Sequence, residues 1–195
     1  MQALTILEGK AFRLTVQRLC HQLVEEHGDL SETALIGMQP RGVLLARRIR
    51  KELATIAPKN ELLYGELDIT FHRDEFRHRA VTAAASSTEL DFSLDDRRVV
   101  RVDDVLYTGR TVRAGLDALQ SYGRPRSVQL LVLVDRRFSR ELPIQPDHVG
   151  KWVDSIDGQR VSVEWEETDG TDRVLLYSSD GPGARRVEHS KPIGS

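Results

Sequence analysis

The chain is poor in cysteine, aromatic residues and long apolar runs. Cys20 is the only cysteine in 195 residues, so no internal disulfide can form, and a reducing compartment fits that usage. No apolar stretch approaches the roughly 20 residues that a membrane helix needs, and the N-terminus lacks the pattern of a secretory leader. The expectation is a cytoplasmic protein with no membrane partner. Positive charge is not in excess: 28 Lys and Arg stand against 30 Asp and Glu, for a formal net charge of −2. Global attraction to nucleic acid is thereby excluded, and any RNA contact must come from a local patch. The histidines (His21, His27, His72, His78, His148 and His189) show no metal-ligand spacing with one another or with Cys20, so no protein-built metal site is expected. No internal repeat is present. At 39% hydrophobic and 30% charged residues, the composition is that of a globular domain with a real core.

The most informative stretch is Val99-Val100-Arg101-Val102-Asp103-Asp104-Val105-Leu106-Tyr107-Thr108-Gly109-Arg110-Thr111. A β-branched run ends in two carboxylates. A short loop follows, and Val112 to Tyr122 reads as a helix with Val112, Leu116 and Leu119 on its apolar face and Gly123 as its stop. Bare amides at the start of that helix, with its dipole, favour a phosphate. Gly109 allows close backbone approach, Thr108 and Thr111 add hydroxyls, and Arg110 adds charge. Asp103 and Asp104 fall at the carboxyl end of the strand, where open parallel sheets bind ligands. Carboxylates accept hydrogen bonds from a sugar diol. Acid for the diol and amides for a phosphate together describe a phosphorylated ribose; an acidic turn capping a helix is the plainer alternative.

This stretch resembles the phosphoribosyl-diphosphate (PRPP) motif of type I phosphoribosyltransferases. Its wording from Val102 to Gly115 is similar to one branch, the bifunctional pyrimidine-operon attenuators and uracil phosphoribosyltransferases, and the similarity runs from about Ile6 to Tyr177. The resemblance implies an α/β fold: a central, mostly parallel sheet flanked by helices, with a small hood and a flexible lid loop. One phosphoribosyltransferase domain over residues 1–180, a hood mainly within 135–170 and a polar tail over 181–195 are expected. It implies that uracil and PRPP give UMP and pyrophosphate, with Mg2+ carried in by PRPP. Asp103 and Asp104 then hold the diol, and Val102 to Thr111 line the PRPP or nucleotide site. It further implies UMP or UTP sensing, binding to pyrimidine-operon messenger RNA, and a homodimer or higher homo-oligomer. A nucleotide-sensing regulator with little catalysis and a purine phosphoribosyltransferase are the competing readings. Tyr107 opposes the purine reading, because purine-specific members carry a carboxylate there and a tyrosine is no anionic base near neutral pH.

The rest of the chain reads around that motif. Gly9 to His27 is an amphipathic helix with Phe12, Val16, Leu19, Cys20, Leu23 and Val24 on one face. Cys20 on that stripe reads as an inert buried thiol. Arg18 and His21 fall on the polar side and match RNA-branch positions, as does Lys151; a solvated face is the alternative. Ala34 to Met38 reads as a buried strand, followed by the turn Gln39-Pro40-Arg41-Gly42 and a helix from Val43 to Ala57. In the family that turn holds pyrophosphate. Arg41 and Gly42 match, whereas Pro40 replaces the usual threonine and removes an N–H. Arg47, Arg48, Arg50 and Lys51 read as a solvated charged face.

Leu62 to Thr70 reads as a strand leading to Arg73 and Asp74, the expected base of the lid. The small, polar character of Arg77 to Leu94 suits a lid. Arg101 replaces an expected apolar residue and requires a partner, such as Asp103. Val128 to Val134 reads as a buried strand ending at Asp135-Arg136. One residue is extra between Arg136 and Arg140 relative to the family. Arg136 and the backbone near Val161 are expected to read the base. Val161 to Glu164 and Arg173 to Tyr177 read as strands around Asp169-Gly170, with Trp152 and Trp165 as hood core or interface.

Overall fold

The β-branched runs become the strands of a parallel sheet, and the amphipathic stretches between them become its helices. The structure is a computed structural model that describes residues 2–59, 61–69, 88–156 and 158–178. Its elements are β1 (Gln2–Glu8), α1 (Gly9–His27), β2 (Thr33–Met38), α2 (Gly42–Ile56), β3 (Leu63–Leu67), β4 (Arg98–Leu106), α3 (Arg110–Leu119), β5 (Ser127–Arg137), β6 (His148–Asp154), β7 (Arg160–Glu164), α4 (Glu166–Asp169) and β8 (Arg173–Ser178). A five-stranded sheet runs in the order β3-β2-β4-β5-β6, with every pairing parallel. This is the expected α/β architecture, and it puts the Asp103–Asp104 end of the central strand β4 between the ends of β2 and β5. No described helix is long and apolar enough to cross a membrane.

A second, antiparallel sheet has the order β1-β8-β7. The residues expected as hood, 135–170, are divided: β6 forms the edge of the main sheet, while β7 joins β1 and β8 in the second. The sequence pattern does not announce β1 or β6. The first has Leu4 exposed, and the second carries Gly150 and Lys151 inside its run. One continuous core joins both sheets. Phe12, Leu19 and Leu23 of α1 and Leu45 and Ile49 of α2 pack with Val100, Val102, Leu131 and Leu133, and onward to Val163, Trp165 and Val174. Cys20 is fully buried there, and burial raises its thiol to about 12, as an inert thiol requires.

Three local expectations need correction. The charged run on α2 is not simply solvated. Arg47 grips the buried Glu66 through two hydrogen bonds of 2.7 and 2.9 Å, and Arg50 lies over the Tyr64 ring. Arg48 bonds Asp172 at 2.6 Å and Glu167 at 2.6 Å and stacks over Trp165. The long side chains reach laterally to partners that helical periodicity does not reveal. Leu116 is exposed, because the face of α3 that meets the sheet is Val112, Ala114, Gly115, Ala118 and Leu119. The last part of the lid stretch is packed rather than free. Leu94 is fully buried, Leu90 and Phe92 pack beside it, and Glu89 bridges to Glu66. Arg73, Asp74, the rest of that stretch and the tail from 181 lie outside the described residues.

Arg48 is therefore a fastener between α2 and the segment joining β7 to β8. Replacing it with methionine, which keeps the apolar stem, is expected to lower unfolding free energy by about 1–3 kcal/mol. Most of that loss falls on the sheltered Asp172 pair, because Glu167 is half exposed and screened. Urea denaturation of the variant beside the parent chain measures it, and an unchanged midpoint would refute the fastening role.

Candidate active site

Asp103 and Asp104 are both at least nine-tenths buried at the end of β4. Each begins to satisfy its neighbour: Asp104 N–H donates to Asp103 Oδ1 at 3.0 Å, and Val105 N–H to Asp104 Oδ1 at 2.8 Å. The turn after β2 comes directly against them. Gln39–Pro40 is a cis peptide bond, Pro40 is exposed, and Arg41 Nε donates to Asp104 Oδ2 at 3.2 Å. The same guanidinium donates to the Val163 carbonyl of β7 and lies 3.9 Å from Asp169. Burial raises the Asp104 carboxyl above the ordinary carboxylate range, and the Arg41 charge opposes that rise. Gly42 opens α2 where a Cβ would stand 2.5 Å from the Val102 carbonyl oxygen and 2.9 Å from Asp103 Cα. Only glycine allows the turn after β2 this approach to β4.

Beyond the carboxylates the chain turns into the cup. Gly109 has φ +92 and precedes α3, whose first turn contains no acidic residue. Arg110 N–H donates to Thr108 Oγ1 at 3.3 Å, and the Arg110 guanidinium reaches Glu141 at 2.5 Å. The 141–144 loop closes the cup from the other side. Glu141 and Leu142 N–H groups both donate to the Thr108 carbonyl, and Ile144 lies against the position of a Gly109 Cβ. A cavity of about 460 Å³ results, lined by Asp103, Val105 to Val112, Arg136, Glu141 and Val161. The structure thus brings most of the anticipated residues to one space and adds Glu141, whose signal was the Arg-Glu-Leu-Pro-Ile segment.

At the far side of the cavity, the Arg136 guanidinium lies 3.9 Å from the centre of the Tyr107 ring. It donates to Ser155 Oγ at 3.0 Å and to the Gln159 carbonyl at 2.9 Å, and it is buried. Burial lowers its pKa, opposed by Tyr107. Between Arg136 and Arg140, Phe138 takes φ +69 and is largely exposed. Arg140 then draws the ends of β4 and β5 together. Its guanidinium donates to the Arg136, Tyr107 and Ile144 carbonyls and pairs with Asp135.

Arg101 meets the expectation of a partner. It is fully buried, donates to the Thr111 carbonyl at 2.9 Å and lies 3.5 Å from Asp103 Oδ2. Its Nε and Nη1 have no hydrogen-bond partner among the described residues. Burial lowers it to about 10, with Asp103 opposing, so it stays cationic at pH 7. It lies flat against α3 at Gly115, where a Cβ would meet Nε at 2.7 Å. The chain therefore places a buried positive charge beneath the cup.

The outlying basic residues are exposed. Arg18 and His21 stand on α1 and Lys151 on β6. Arg18 donates to the carbonyls of Val149 and Gly150 at 3.2 and 2.6 Å, which brings it beside the strand that carries Lys151.

This combination of parallel sheet, acidic strand end and amide cup is that of a phosphoribosyltransferase, and the comparisons agree. Residues 2–168 match the family model described as phosphoribosyl transferase domain. Among curated relatives, the Bifunctional protein PyrR of Deinococcus radiodurans is 44% identical over 176 residues, covering 90% of this chain and 95% of that one. The protein of the same name from Bacillus subtilis is 38% identical over 181 residues, covering 92% and 99%. The chain belongs to the phosphoribosyl transferase family and, within it, to the branch of these bifunctional proteins. Solved structures share the fold alone. A hypoxanthine phosphoribosyltransferase of Trypanosoma cruzi superposes with TM-score 0.65 at 13% identity, covering 88% of this chain and 94% of that one. One from Staphylococcus aureus gives 0.63 at 17%, covering 88% and 90%.

Proposed function

We propose that this chain is a uracil phosphoribosyltransferase that also acts as a UMP- or UTP-sensing, RNA-binding regulator of pyrimidine genes. The carrying observation is the single cavity that joins Asp103 and the Tyr107–Thr111 cup at one end to Arg136 and Val161 at the other. In this reading the 5′-phosphate enters the cup at the start of α3, where amides, Arg110 and the helix dipole face it. Asp103 and Asp104 take the ribose hydroxyls and stabilise positive charge as it develops on the sugar. The bond from C1′ to pyrophosphate breaks as the bond from C1′ to uracil N1 forms, uracil N1 gives up its proton to the departing pyrophosphate or to solvent, and pyrophosphate departs toward Arg41. Mg2+ arrives with PRPP, and the oxygen-only carboxylates beside Arg41 suit a hard cation carried that way. Arg136, pinned over Tyr107, and the backbone near Val161 face the base. Arg73 and Asp74 would close the site from the lid.

The RNA reading draws on the branch to which the chain belongs and on the exposed Arg18, His21 and Lys151. A homo-oligomer and a cytoplasmic setting belong to the same reading.

The test supplies purified chain with PRPP, Mg2+ and labelled uracil, with hypoxanthine and orotate as controls. UMP is the expected product; formation of the purine nucleotide alone would overturn the assignment. An RNA titration at several salt concentrations, with and without UMP, tests the second role, which predicts salt-dependent binding that UMP alters. Arg136→Ala is expected to raise KM for uracil about tenfold while PRPP binding holds, as loss of one charged contact to a base edge requires. Steady-state kinetics with each substrate varied in turn separates the two.

A further inference from the structure

Spacing along the chain argues against a metal site, yet the fold gathers three metal-binding side chains far from the cavity. Glu26 and His27 end α1, and His148 begins β6. One donor atom from each lies within 4.8 Å of the other two. We propose that Glu26, His27 and His148 form a binding site for a divalent transition ion of the zinc class.

His148 is almost fully buried, and its Nε2 meets no hydrogen-bond partner among the described residues. That nitrogen stands 3.4 Å from Glu26 Oε2, within ion-pair range but not aligned for a hydrogen bond. A buried ring nitrogen facing a carboxylate in this way lacks a ligand that a metal would supply. His27 is also buried. Its ring is held between Gln129 Oε1 at 2.8 Å and Thr33 Oγ1 at 3.4 Å. The Gln129 amide also donates to Glu26 Oε1, so one glutamine holds both side chains, and a bound ion would take a His27 ring nitrogen from its present hydrogen bond. Glu26 is half exposed and provides the entry path.

The donor chemistry selects the ion. Two imidazoles and one carboxylate, with a fourth position open to water, suit zinc and its neighbours and suit Mg2+ poorly. The site is thus distinct from the magnesium that accompanies PRPP and independent of the reaction. Local charge agrees. The C-terminal end of α1 carries the negative pole of its dipole. A bound ion would join the end of α1 to the sheet edge, the two elements that also carry Arg18 and Lys151.

The experiment uses the full, tag-free chain freed of metal by a chelator. Zn2+ is titrated against a chromophoric competitor, and Co2+ is added separately to read its visible absorption. One equivalent of Zn2+ is expected to bind, with a tetrahedral Co2+ spectrum and no competition from millimolar-range Mg2+. His27→Gln removes one of the two imidazole donors and is expected to weaken Zn2+ about 10–100-fold. Glu26→Gln and His148→Gln are expected to weaken it at least as much, with Glu26→Gln guarding against misfolding because its side chain is half exposed. No stoichiometric binding, or one equivalent that survives both Glu26→Gln and His148→Gln unchanged, would overturn the site.

Discussion

Asp104→Asn is expected to cut kcat for UMP formation by about 10²–10³-fold, the loss that follows removal of one preorganised electrostatic group. Asp104 is buried at the end of β4 and held by Arg41 at 3.2 Å. Asparagine keeps the shape and one acceptor but removes the charge that, in the proposed reaction, meets the developing cation. It also frees Arg41 from its carboxylate partner, so pyrophosphate attraction does not fall with it, and KM for PRPP changes less than kcat. Circular dichroism unchanged beside a collapsed rate is the signature. The parent's activity should also fail on the acid side above the ordinary carboxylate range, because burial raises the Asp104 carboxyl. A variant that turns over at the parent's rate would remove Asp104 from the chemistry.

The second large effect is expected from Gly42→Ala. One methyl group there meets the Val102 carbonyl oxygen at 2.5 Å and Asp103 Cα at 2.9 Å. Both are backbone atoms of the central strand and cannot rotate away. The turn carrying Arg41 must shift, with a stability loss of about 1–3 kcal/mol, as overpacking of a tight contact implies. Displacing Arg41 from Asp104 by even 1 Å should cost about 10²-fold in rate. Urea midpoints and UMP synthesis measured on the same preparation read both losses. A stable, active Gly42→Ala protein would mean that the turn and the central strand need no such approach.

The difference between these two residues shows how much the sequence discloses. Asp103, Asp104 and the residues to Thr111 are contiguous, so strand, acid pair, loop and helix start could be read in one line. Local geometry follows from near neighbours: β-branched residues favour the strand, Gly109 takes φ +92, and amides gather where a helix begins. Gly42 was legible as part of a family turn, but the reason for its smallness lies in Asp103, 61 positions away in the numbering of the chain. Arg48 looked solvated because its partners, Glu167 and Asp172, are carried back by another sheet.

By itself the sequence determined strands β2 to β5, β7 and β8 and helices α1 to α3, the buried Cys20, the strand–acid–loop–helix stretch and the need of Arg101 for a partner. Tertiary structure alone decided that Arg41 meets Asp104, that Arg136 lies over Tyr107, that β1 pairs with β8, and that Glu26, His27 and His148 converge. The physical reason is range. Backbone preference acts over a few residues, whereas sheet order and register are set by burying one shared apolar face, and that burial joins residues with no relation along the chain.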